Sequence, residues 1–481
     1  MDDGTAILTS VEAEDRQRRA AGALAAAGCG PGDRVAFCLP SSAALLCAVL
    51  GAARTGVVPV LLNATLLPDE RDLLLADAAP TVSVLDATAL AVLGDGTPVE
   101  LARYPLTRPM HYTSGTTGRP KGVTTGLWDE ATAKAVFDDE ADVWGFDADD
   151  VHLVCSPMYH TVSVRFAAGT LLSGGAVAIL PRFRASAALD ALRRLRPTTA
   201  FMAPTHLQRL LDLGELDDGE QFSSLRLLAH AGSSCPPVLK RAAMARVGDD
   251  VLWEFYGSTE GQFTVCPPAD WLERPGTVGR ARPGRTLSIG SLDGGPLDGD
   301  SSDGGPLDGA VSADGAVSAD GASPAVGTIW CEAPPFARFS YWRNADATAA
   351  AWRGDAFTVG DVGHLDADGH LYLSGRRHDL IISGGVNVYP AEVEAALLEV
   401  DGVADVAVFG VPDEAWGERV VAAVVGSPQL DLDDVRTHAD RRLAPYKRPK
   451  AYVRTDDLPR TPTGKLLRRE VATHVGLAPG E

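Results

Sequence analysis

The sequence predicts an α/β protein, with a large N-terminal domain of parallel-rich sheets and flanking helices and a small α+β C-terminal domain. Three observations support this prediction. The chain has 481 residues, more than a single hydrophobic core usually serves. Apolar runs alternate with helical stretches through the first half, which is typical of βαβ units with parallel strands. Near residue 376 the pattern changes to a compact mixture of helices and strands, so we expect domains over 1–375 and 376–481.

The elements of the first half follow from local signals. Thr9 and Glu12 have the spacing of a capping box, which predicts an alanine-rich helix ending near Gly28. The next elements are predicted as a strand, a helix and a strand over 35–39, 42–53 and 57–62. Further strands, each separated by a helical stretch, are predicted over 151–155, 176–180, 198–202, 225–229 and 251–256. Ligands of such sheets bind at the carboxyl ends of the strands, so we expect the functional site there.

The C-terminal region has a different composition of elements. It is predicted to contain helices over 391–400 and 431–443 and strands over 403–411, 419–425 and 451–455. Within the N-terminal domain, residues 291–323 repeat Asp-Gly-Gly-Pro-Leu-Asp-Gly and contain no lysine or arginine. This composition predicts a flexible acidic loop inserted away from the functional motifs, because it offers almost nothing that could build a core.

Charge and cysteine usage exclude several classes of function. The formal net charge of −21 argues against a nucleic-acid partner, which needs a clustered excess of lysine and arginine. The seven cysteines are scattered and form no CxxC pair, which indicates reduced thiols rather than metal ligands. The sequence shows neither a signal peptide nor a run of about 18 apolar residues that could cross a membrane, so we expect a cytoplasmic protein without a membrane partner.

The strongest functional signal lies at residues 112–122, with the sequence Tyr-Thr-Ser-Gly-Thr-Thr-Gly-Arg-Pro-Lys-Gly. Glycines let a backbone approach phosphate closely, and successive N–H groups and hydroxyls form an anion site. Lys121 supplies a positive charge for the phosphates. The predicted phosphate-binding residues are therefore Thr113, Ser114, Gly115, Thr116, Thr117, Gly118 and Lys121.

This segment resembles the phosphate loop of the adenylate-forming superfamily, which includes acyl-CoA synthetases, peptide-synthetase adenylation domains and beetle luciferases. Residues 256–261, Tyr-Gly-Ser-Thr-Glu-Gly, resemble the family motif in which the glutamate binds Mg²⁺ and the threonine contacts phosphate. The resemblance therefore implies Glu260 as a metal ligand, with Thr117 as a second. It implies contacts to the nucleotide from Tyr256, Gly257 and Thr259.

Three later motifs follow in the family order. Asp361 matches the aspartate that binds both ribose hydroxyls, and Arg376 matches the arginine that contacts ribose and phosphate at the domain junction. Lys465, in Pro-Thr-Gly-Lys, matches the lysine that stabilises charge as pyrophosphate leaves.

Weaker matches complete the implied site. His160 lies where the family has an aromatic gate beside the substrate carboxylate. Gly232, Ser233 and Ser234 lie where the backbone stacks on adenine, and Gly384 lies in the loop that lines the pantetheine tunnel.

The resemblance covers about residues 5–475 and implies a two-step reaction with a mobile C-terminal domain. A carboxylic acid and ATP, with Mg²⁺, would give an acyl-adenylate and pyrophosphate, and the thiol of CoA would then displace AMP. The details of the sequence are closest to bacterial acyl-CoA synthetases. Where the family has Asp or Lys at the hinge, this chain has His378, which predicts pH-dependent domain alternation.

Several alternatives stay open at this point. The second nucleophile could be a carrier protein, or the acid could be nitrite, as in diazotising relatives. A nucleotide-binding protein without catalysis fits less well, because a site without activity has no use for all of Lys121, Glu260, Asp361 and Lys465. A luciferase-like oxygenase is a further alternative that fits less well. The identity of the acid and the choice between monomer and homodimer are not set by the sequence.

Overall fold

The structure is a computed structural model that describes residues 1–113, 120–214, 219–233, 235–291, 326–376, 379, 381–383, 386–413, 417–443, 445, 447–461 and 464–477. Its helices are α1 Ser10–Ala26, α2 Ala43–Arg54, α3 Pro68–Ala78, α4 Ala87–Leu93, α5 Glu130–Trp144, α6 Thr161–Leu172, α7 Ala185–Leu195, α8 Pro204–Leu211, α9 Pro237–Val247, α10 Pro268–Glu273, α11 Ala345–Ala351, α12 Pro390–Leu397, α13 Leu432–Arg442 and α14 Arg468–His474.

The strands are β1 Arg34–Phe37, β2 Val58–Leu61, β3 Val82–Val84, β4 Met110–Thr113, β5 Lys121–Thr124, β6 Val151–Val154, β7 Ala176–Ile179, β8 Thr199–Phe201, β9 Leu227–His230, β10 Leu252–Glu254, β11 Thr264–Val265, β12 Arg280–Ala281, β13 Thr286–Gly290, β14 Gly327–Glu332, β15 Ser340–Tyr341, β16 Trp352–Arg353, β17 Ala356–Phe357, β18 Asp361–Leu365, β19 Leu371–Arg376, β20 Ile381–Ser383, β21 Val386–Val388, β22 Val403–Asp413, β23 Gly417–Gly426 and β24 Ala451–Arg454.

Two parallel-rich sheets form the first part of the fold. The strand order is β15-β5-β4-β2-β1-β3 in one sheet and β10-β9-β8-β6-β7 in the other. All pairs of the second sheet are parallel, as are the pairs among β1 to β4 of the first. The predicted α/β class with parallel-rich sheets in the N-terminal region is therefore confirmed.

One apolar core joins these two sheets. It contains side chains of β1, of β7 and of α2, and eleven of the twelve residues of α2 are buried. Ser42 caps the start of α2 by accepting a hydrogen bond from the Leu45 backbone. The predicted capping box at α1 is also present, because Thr9 and Glu12 each accept from the other's backbone at 3.2 and 2.8 Å.

Antiparallel strands follow the parallel sheets. A third sheet has the order β16-β17-β14-β18-β19, with β13 paired to β14. The pairing of β13 with β14 brings residues 290 and 328 opposite each other, so the two ends of the predicted acidic loop lie side by side. Most of that predicted loop, from residue 292 on, lies outside the described residues.

The last sheet has the order β21-β20-β23-β22, with β24 parallel to β23. Helices α12 and α13 share one apolar core with this sheet, and α14 belongs to a second core that also contains side chains of β22 and β23. The predicted smaller α+β C-terminal region is therefore confirmed. Among the residues that the structure describes, no helix is long and apolar enough to cross a membrane.

Candidate active site

The base of the predicted phosphate loop is a pair of antiparallel strands. Residues 114–119, which include the predicted Ser114, Gly115, Thr116, Thr117 and Gly118, lie outside the described part of the chain. The strands on either side, β4 and β5, pair so that Thr113 lies opposite Lys121. The hydroxyl of Thr113 is 3.5 Å from the carbonyl oxygen of Lys121. The sheet thus fixes the first and last positions of the loop next to each other.

Tyr341 connects Lys121 with Glu260. Strand β15 pairs with β5 and brings Tyr341 opposite Val123. The Lys121 Nζ atom lies 4.9 Å from the centroid of the Tyr341 ring, within the range of a cation–π contact. The Tyr341 hydroxyl donates a hydrogen bond of 2.8 Å to Oε1 of Glu260, whose side chain is largely buried. The predicted phosphate-binding lysine and the candidate metal ligand therefore both contact one aromatic side chain.

A second hydrogen bond links two predicted nucleotide-binding residues. The Tyr256 hydroxyl donates to Oδ2 of Asp361 at 2.6 Å, across 105 positions of the chain. Asp361 begins β18 and lies opposite Arg376 in β19. Gly360, just before it, has φ +80°, a conformation that favours glycine. This turn positions Asp361 at the start of the strand, directly after Gly360, which lines a large cavity; Asp361 and Tyr256 themselves are not among the residues that line it.

A cavity of about 1600 Å³ collects most of the predicted site. The predicted residues that line it are Thr113, Lys121, His160, Gly232, Gly257, Thr259, Glu260 and Lys465. Lys465 comes from the C-terminal region, and its neighbour Gly464 packs against Thr205 at the start of α8. The two lysines and the glutamate are thus placed around one cavity although they lie hundreds of residues apart in the chain.

His160 lies at the start of α6, where the chain leaves the carboxyl end of β6. Burial is the largest cause that lowers the pKa of His160 to about 4, and the nearby His111 and His206 add to it. The imidazole is therefore neutral at pH 7. Its Nε2 atom is buried and has no hydrogen-bond partner among the described residues. A neutral ring at this place can lie beside a substrate carboxylate without transferring a proton to it.

The residues of the cavity fit ATP, Mg²⁺ and an acid. Lys121, Lys465 and Arg469 offer positive charge for a triphosphate. Glu260 offers carboxylate oxygen, and the buried hydroxyl of Ser258 has no partner among the described residues. Carboxylate and hydroxyl oxygens, completed by substrate phosphates, are ligands that Mg²⁺ prefers.

Other predicted residues are not brought together in this way. Ser233 is described but is not among the residues that line the cavity, and the side chain of Arg376 is not described. Ser234, Gly384 and the predicted hinge residue His378 lie outside the described residues.

The structure also adds to what the sequence indicated. Ser291 and Thr328 line the large cavity, so the flanks of the predicted acidic loop reach the site, whereas the sequence placed that loop away from the motifs. Tyr341 and Arg165 were missed altogether. Arg165 lies one helical turn after Thr161, and this spacing on a helix that begins at the site is the signal that could have identified it.

The fold and this cavity define an enzyme that activates an acid with a nucleotide. The family model described as AMP-binding enzyme matches residues 1–103 and 109–306, and the model of the AMP-binding enzyme C-terminal domain matches residues 392–465. The chain belongs to this family of AMP-binding, adenylate-forming enzymes.

Named relatives and a solved structure agree with this assignment. The chain is 32% identical to an indoleacetate–CoA ligase of Aromatoleum aromaticum, over 94% of this chain and 90% of the relative. It is 32% identical to the fatty acid–[acyl-carrier-protein] ligase ScoC of Streptomyces coeruleorubidus, over 96% and 91%. The ATP-bound crystal structure of MatB from Rhodopseudomonas palustris is similar with a TM-score of 0.80 and 29% identity, covering 98% of this chain and 94% of that one. The predicted family, enzyme class and use of ATP, Mg²⁺ and CoA are confirmed at the level of the family.

Proposed function

We propose that this protein is an AMP-forming acyl-CoA synthetase in which the cavity around Lys121, Glu260 and Lys465 is the active site. In the first half-reaction, a carboxylate oxygen of the acid forms a bond to the α-phosphorus of ATP. The bond from that phosphorus to the bridging oxygen breaks, and pyrophosphate leaves with both electrons. The observation that supports this proposal best is that these three charged side chains line one cavity.

The charges of the cavity suit this step. Negative charge grows on pyrophosphate as it leaves, and fixed cations in a partly buried site stabilise such charge. Lys121 and Lys465 are proposed to supply them, together with the backbone of the phosphate loop at 113–118. Bound Mg²⁺, held by Glu260 with Thr117 as a second ligand, would neutralise phosphate oxygens and orient them. Thr259 is proposed to donate to a phosphate oxygen.

The nucleoside is proposed to lie along β18 and the loop after β9. The Asp361 carboxylate can accept hydrogen bonds from both ribose hydroxyls, and the Tyr256 hydroxyl fixes its orientation. Arg376, opposite Asp361 in the sheet, would contact ribose and phosphate. Gly232, with Ser233 and Ser234, would provide the backbone beside adenine.

In the second half-reaction, the sulfur of CoA bonds to the acyl carbon and the bond from that carbon to the AMP oxygen breaks. The thiol proton passes to solvent, and AMP leaves. We propose that residues 376–481 form a mobile domain that removes Lys465 and brings the loop at Gly384 to the cavity for this step. His160, neutral at pH 7, would border the acyl group in both steps.

The test is pyrophosphate release from ATP across a panel of organic acids and nitrite, with and without CoA. We expect turnover with an organic acid and an acyl-CoA product. Lys465→Met should lose this turnover, whereas Lys134→Met, on the exposed surface of α5, should retain it as the matched control. Binding of ATP without turnover of any acid would contradict the proposal.

Transfer to a carrier protein is the second candidate. It is favoured by the likeness to ScoC, which is named as an acyl-carrier-protein ligase. Acyl transfer to a purified carrier protein but not to CoA, after normal pyrophosphate release, would assign this acceptor instead. A monomeric or homodimeric state and a cytoplasmic location stay predictions, which gel filtration and cell fractionation can test.

A further inference from the structure

Arg165 is a charged residue on the wall of the large cavity that neither half-reaction uses. It lies in α6, about 6 Å or slightly more than one turn along the helix from Thr161, and both residues line the cavity. The neighbouring walls are apolar or aromatic and include Val162, Phe201 and Phe255. Arg165 therefore lies beside the part of the cavity that starts at His160, where the acid is proposed to bind.

The guanidinium of Arg165 has little that satisfies it within the protein. Its Nε atom is 3.3 Å from Oε2 of Glu140, and its Cζ atom lies 5.5 and 5.2 Å from the ring centroids of Phe166 and Phe255. The Nε and Nη2 atoms are buried and donate no hydrogen bond to any described residue. The side chain of Arg165 keeps 20% exposure and lines the large cavity. Five donors with so few acceptors indicate that a further acceptor binds here.

The charges around Arg165 are also out of balance. A second cavity of about 130 Å³ adjoins the site and is lined by Arg165 and further charged residues. Among the described residues, four guanidinium groups here face two carboxylates, namely Arg108, Arg165, Arg282 and Arg285 with Asp139 and Glu140.

Each of the two carboxylates is shared between two guanidinium groups of this cluster. Asp139 accepts from both Arg282 and Arg285, and Glu140 is shared between Arg282 and Arg165. Burial, the largest cause, lowers the pKa of Arg165 to about 10, so the side chain is still cationic at neutral pH. Glu140, the counter-charge of Arg165, is shared with Arg282, so the charge of Arg165 is only partly compensated. A buried cation in this position is unfavourable, and an anion in the cavity would remove that penalty.

We propose that the acid activated by this enzyme carries a second carboxylate, and that Arg165 binds it at the far end of the acyl site. The inference rests on the proposed function, because it assigns the substrate class of the same cavity. One carboxylate of a dicarboxylic acid would lie by His160 and react with ATP. The other would accept hydrogen bonds from Arg165, while the apolar walls contact the carbon skeleton between them.

The test compares matched pairs of acids that differ only in the second carboxylate. Suitable pairs are terephthalate with benzoate, 4-carboxycinnamate with cinnamate, and succinate with butyrate. The readout is kcat/KM for pyrophosphate release in the presence of CoA. A charge-assisted hydrogen bond contributes enough for a preference of about 10- to 100-fold, so we expect at least one dicarboxylate to exceed its partner by that ratio.

Variants then locate the origin of this preference. Arg165→Gln should reduce the ratio to near one, and Arg165→Lys should retain part of it. Arg108→Gln is the matched control, because it removes a guanidinium of the same cluster that does not line the large cavity. That variant should keep the ratio within about threefold of the wild type, since it changes the distant charge but not the direct contact.

The outcomes separate the two proposals. Equal or better turnover of the monocarboxylate in every pair would overturn the assignment of Arg165 and leave the acyl-CoA synthetase intact. Equal losses of the ratio in the Arg165 and Arg108 variants would overturn direct binding. No pyrophosphate release with any acid would contradict the proposed function itself. If Arg165→Gln fails to fold, the ratios of the wild-type enzyme decide.

Discussion

The hydroxyl of Tyr341 offers a sharp test of how Glu260 is held. It donates a 2.8 Å hydrogen bond to Oε1 of Glu260, and the face of the same ring contacts Nζ of Lys121 at 4.9 Å from the ring centroid. Tyr341→Phe removes the hydrogen bond and keeps the ring. Tyr341→Leu removes both, so the two variants separate the support of the candidate metal ligand from the support of the lysine.

The magnitude follows from the burial of Glu260. Only 6% of this residue is exposed, so water has little access to replace the lost donor. A hydrogen bond to a charged group contributes about 1.5–3 kcal/mol, which corresponds to about 10- to 100-fold in an equilibrium or rate constant. Losing a group that orients a metal ligand has effects of similar size on metal affinity or activity. We therefore expect Tyr341→Phe to lower the rate of pyrophosphate release about 10- to 100-fold at limiting Mg²⁺.

The assay is pyrophosphate release over a titration of Mg²⁺ at saturating ATP and acid. The loss in Tyr341→Phe should shrink as Mg²⁺ rises, because the cation can then occupy a less well oriented carboxylate. Tyr341→Leu should lose more, and excess Mg²⁺ should restore less of its activity. Tyr452→Phe, which removes a buried hydroxyl in the C-terminal region, is the control and should behave as the wild type. Activity of Tyr341→Phe within twofold of the wild type at every Mg²⁺ concentration would refute the reasoning.

Three further predictions concern other groups of the chain. Lys465→Met should lower formation of the adenylate at least about 100-fold while thioester formation from a synthetic acyl-adenylate and CoA is retained, and equal losses in both assays would contradict its role. Asp361→Asn should raise the KM for ATP about 10-fold with a smaller effect on kcat, because it weakens a charged hydrogen bond to ribose; an unchanged KM would exclude that contact. Burial lowers the pKa of His111 to about 4 and of His152 to about 3, from 6.5, so these rings are neutral in the folded protein and the unfolded chain binds more protons below pH 6.5. The part of the free energy of unfolding that depends on these neutral rings is fully present above pH 6.5 and falls as the pH drops towards 4. The expected loss between pH 7 and pH 5 is about 2 kcal/mol per histidine. Urea unfolding measures this loss, and His152→Asn should make it smaller.

Much of the parallel part of the fold could be predicted from the sequence. Strands such as β6 and β8 are short, mostly apolar runs bounded by helices, and each was predicted to within two residues of its observed limits. The antiparallel third sheet was not predicted. Its strands β16 and β17 have two residues each, too few to show a period, and they pair only because the tertiary structure brings them together.

In the C-terminal region, too, the long strands were predicted and the short elements were not. Strands β22 and β23 have ten or more residues and clear apolar patterns, and the sequence identified both. The hairpin of β20 and β21 and the helix α14 were missed. The strands of the hairpin have three residues each, and α14 has seven residues, so each is defined by packing on the sheet rather than by its own pattern.

Some residues of the site were predicted from a local sequence pattern, whereas others could not be, because their contacts join distant parts of the chain. The phosphate loop is a local pattern, so its chemistry could be inferred from the residues alone. Glu260, Asp361 and Lys465 were identified only through the order of family motifs, since a single acidic or basic residue has no distinguishing context. Tyr341 has its partner 81 positions away, so it becomes recognisable only in the folded chain.

The contact between Gly464 and Thr205 gives a way to test when Lys465 is needed. Gly464 has φ +84°, and a Cβ atom at this position would lie 2.1 Å from Cγ2 of Thr205. Gly464→Ala therefore disfavours the arrangement in which Lys465 lines the cavity, both by the clash and by about 1 kcal/mol or more of backbone strain. We expect adenylate formation to fall at least about 10-fold, while thioester formation from a synthetic acyl-adenylate is spared.

A second variant separates the two causes of that loss. Thr205→Ala in the Gly464→Ala background removes the two closest atoms of the clash, Cγ2 and Oγ1, but keeps the Cβ atom at 2.9 Å and the strain at positive φ, so it should restore part of the adenylation rate. Thr205→Ala alone is the control for any other role of that side chain. Because the contact belongs to the arrangement in which Lys465 lines the cavity, an equal loss in both half-reactions would mean that Gly464 stabilises the C-terminal region as a whole. Selective loss of adenylation would instead mean that the described arrangement is the one that performs the first half-reaction, and that the chain must leave it before the thiol can react.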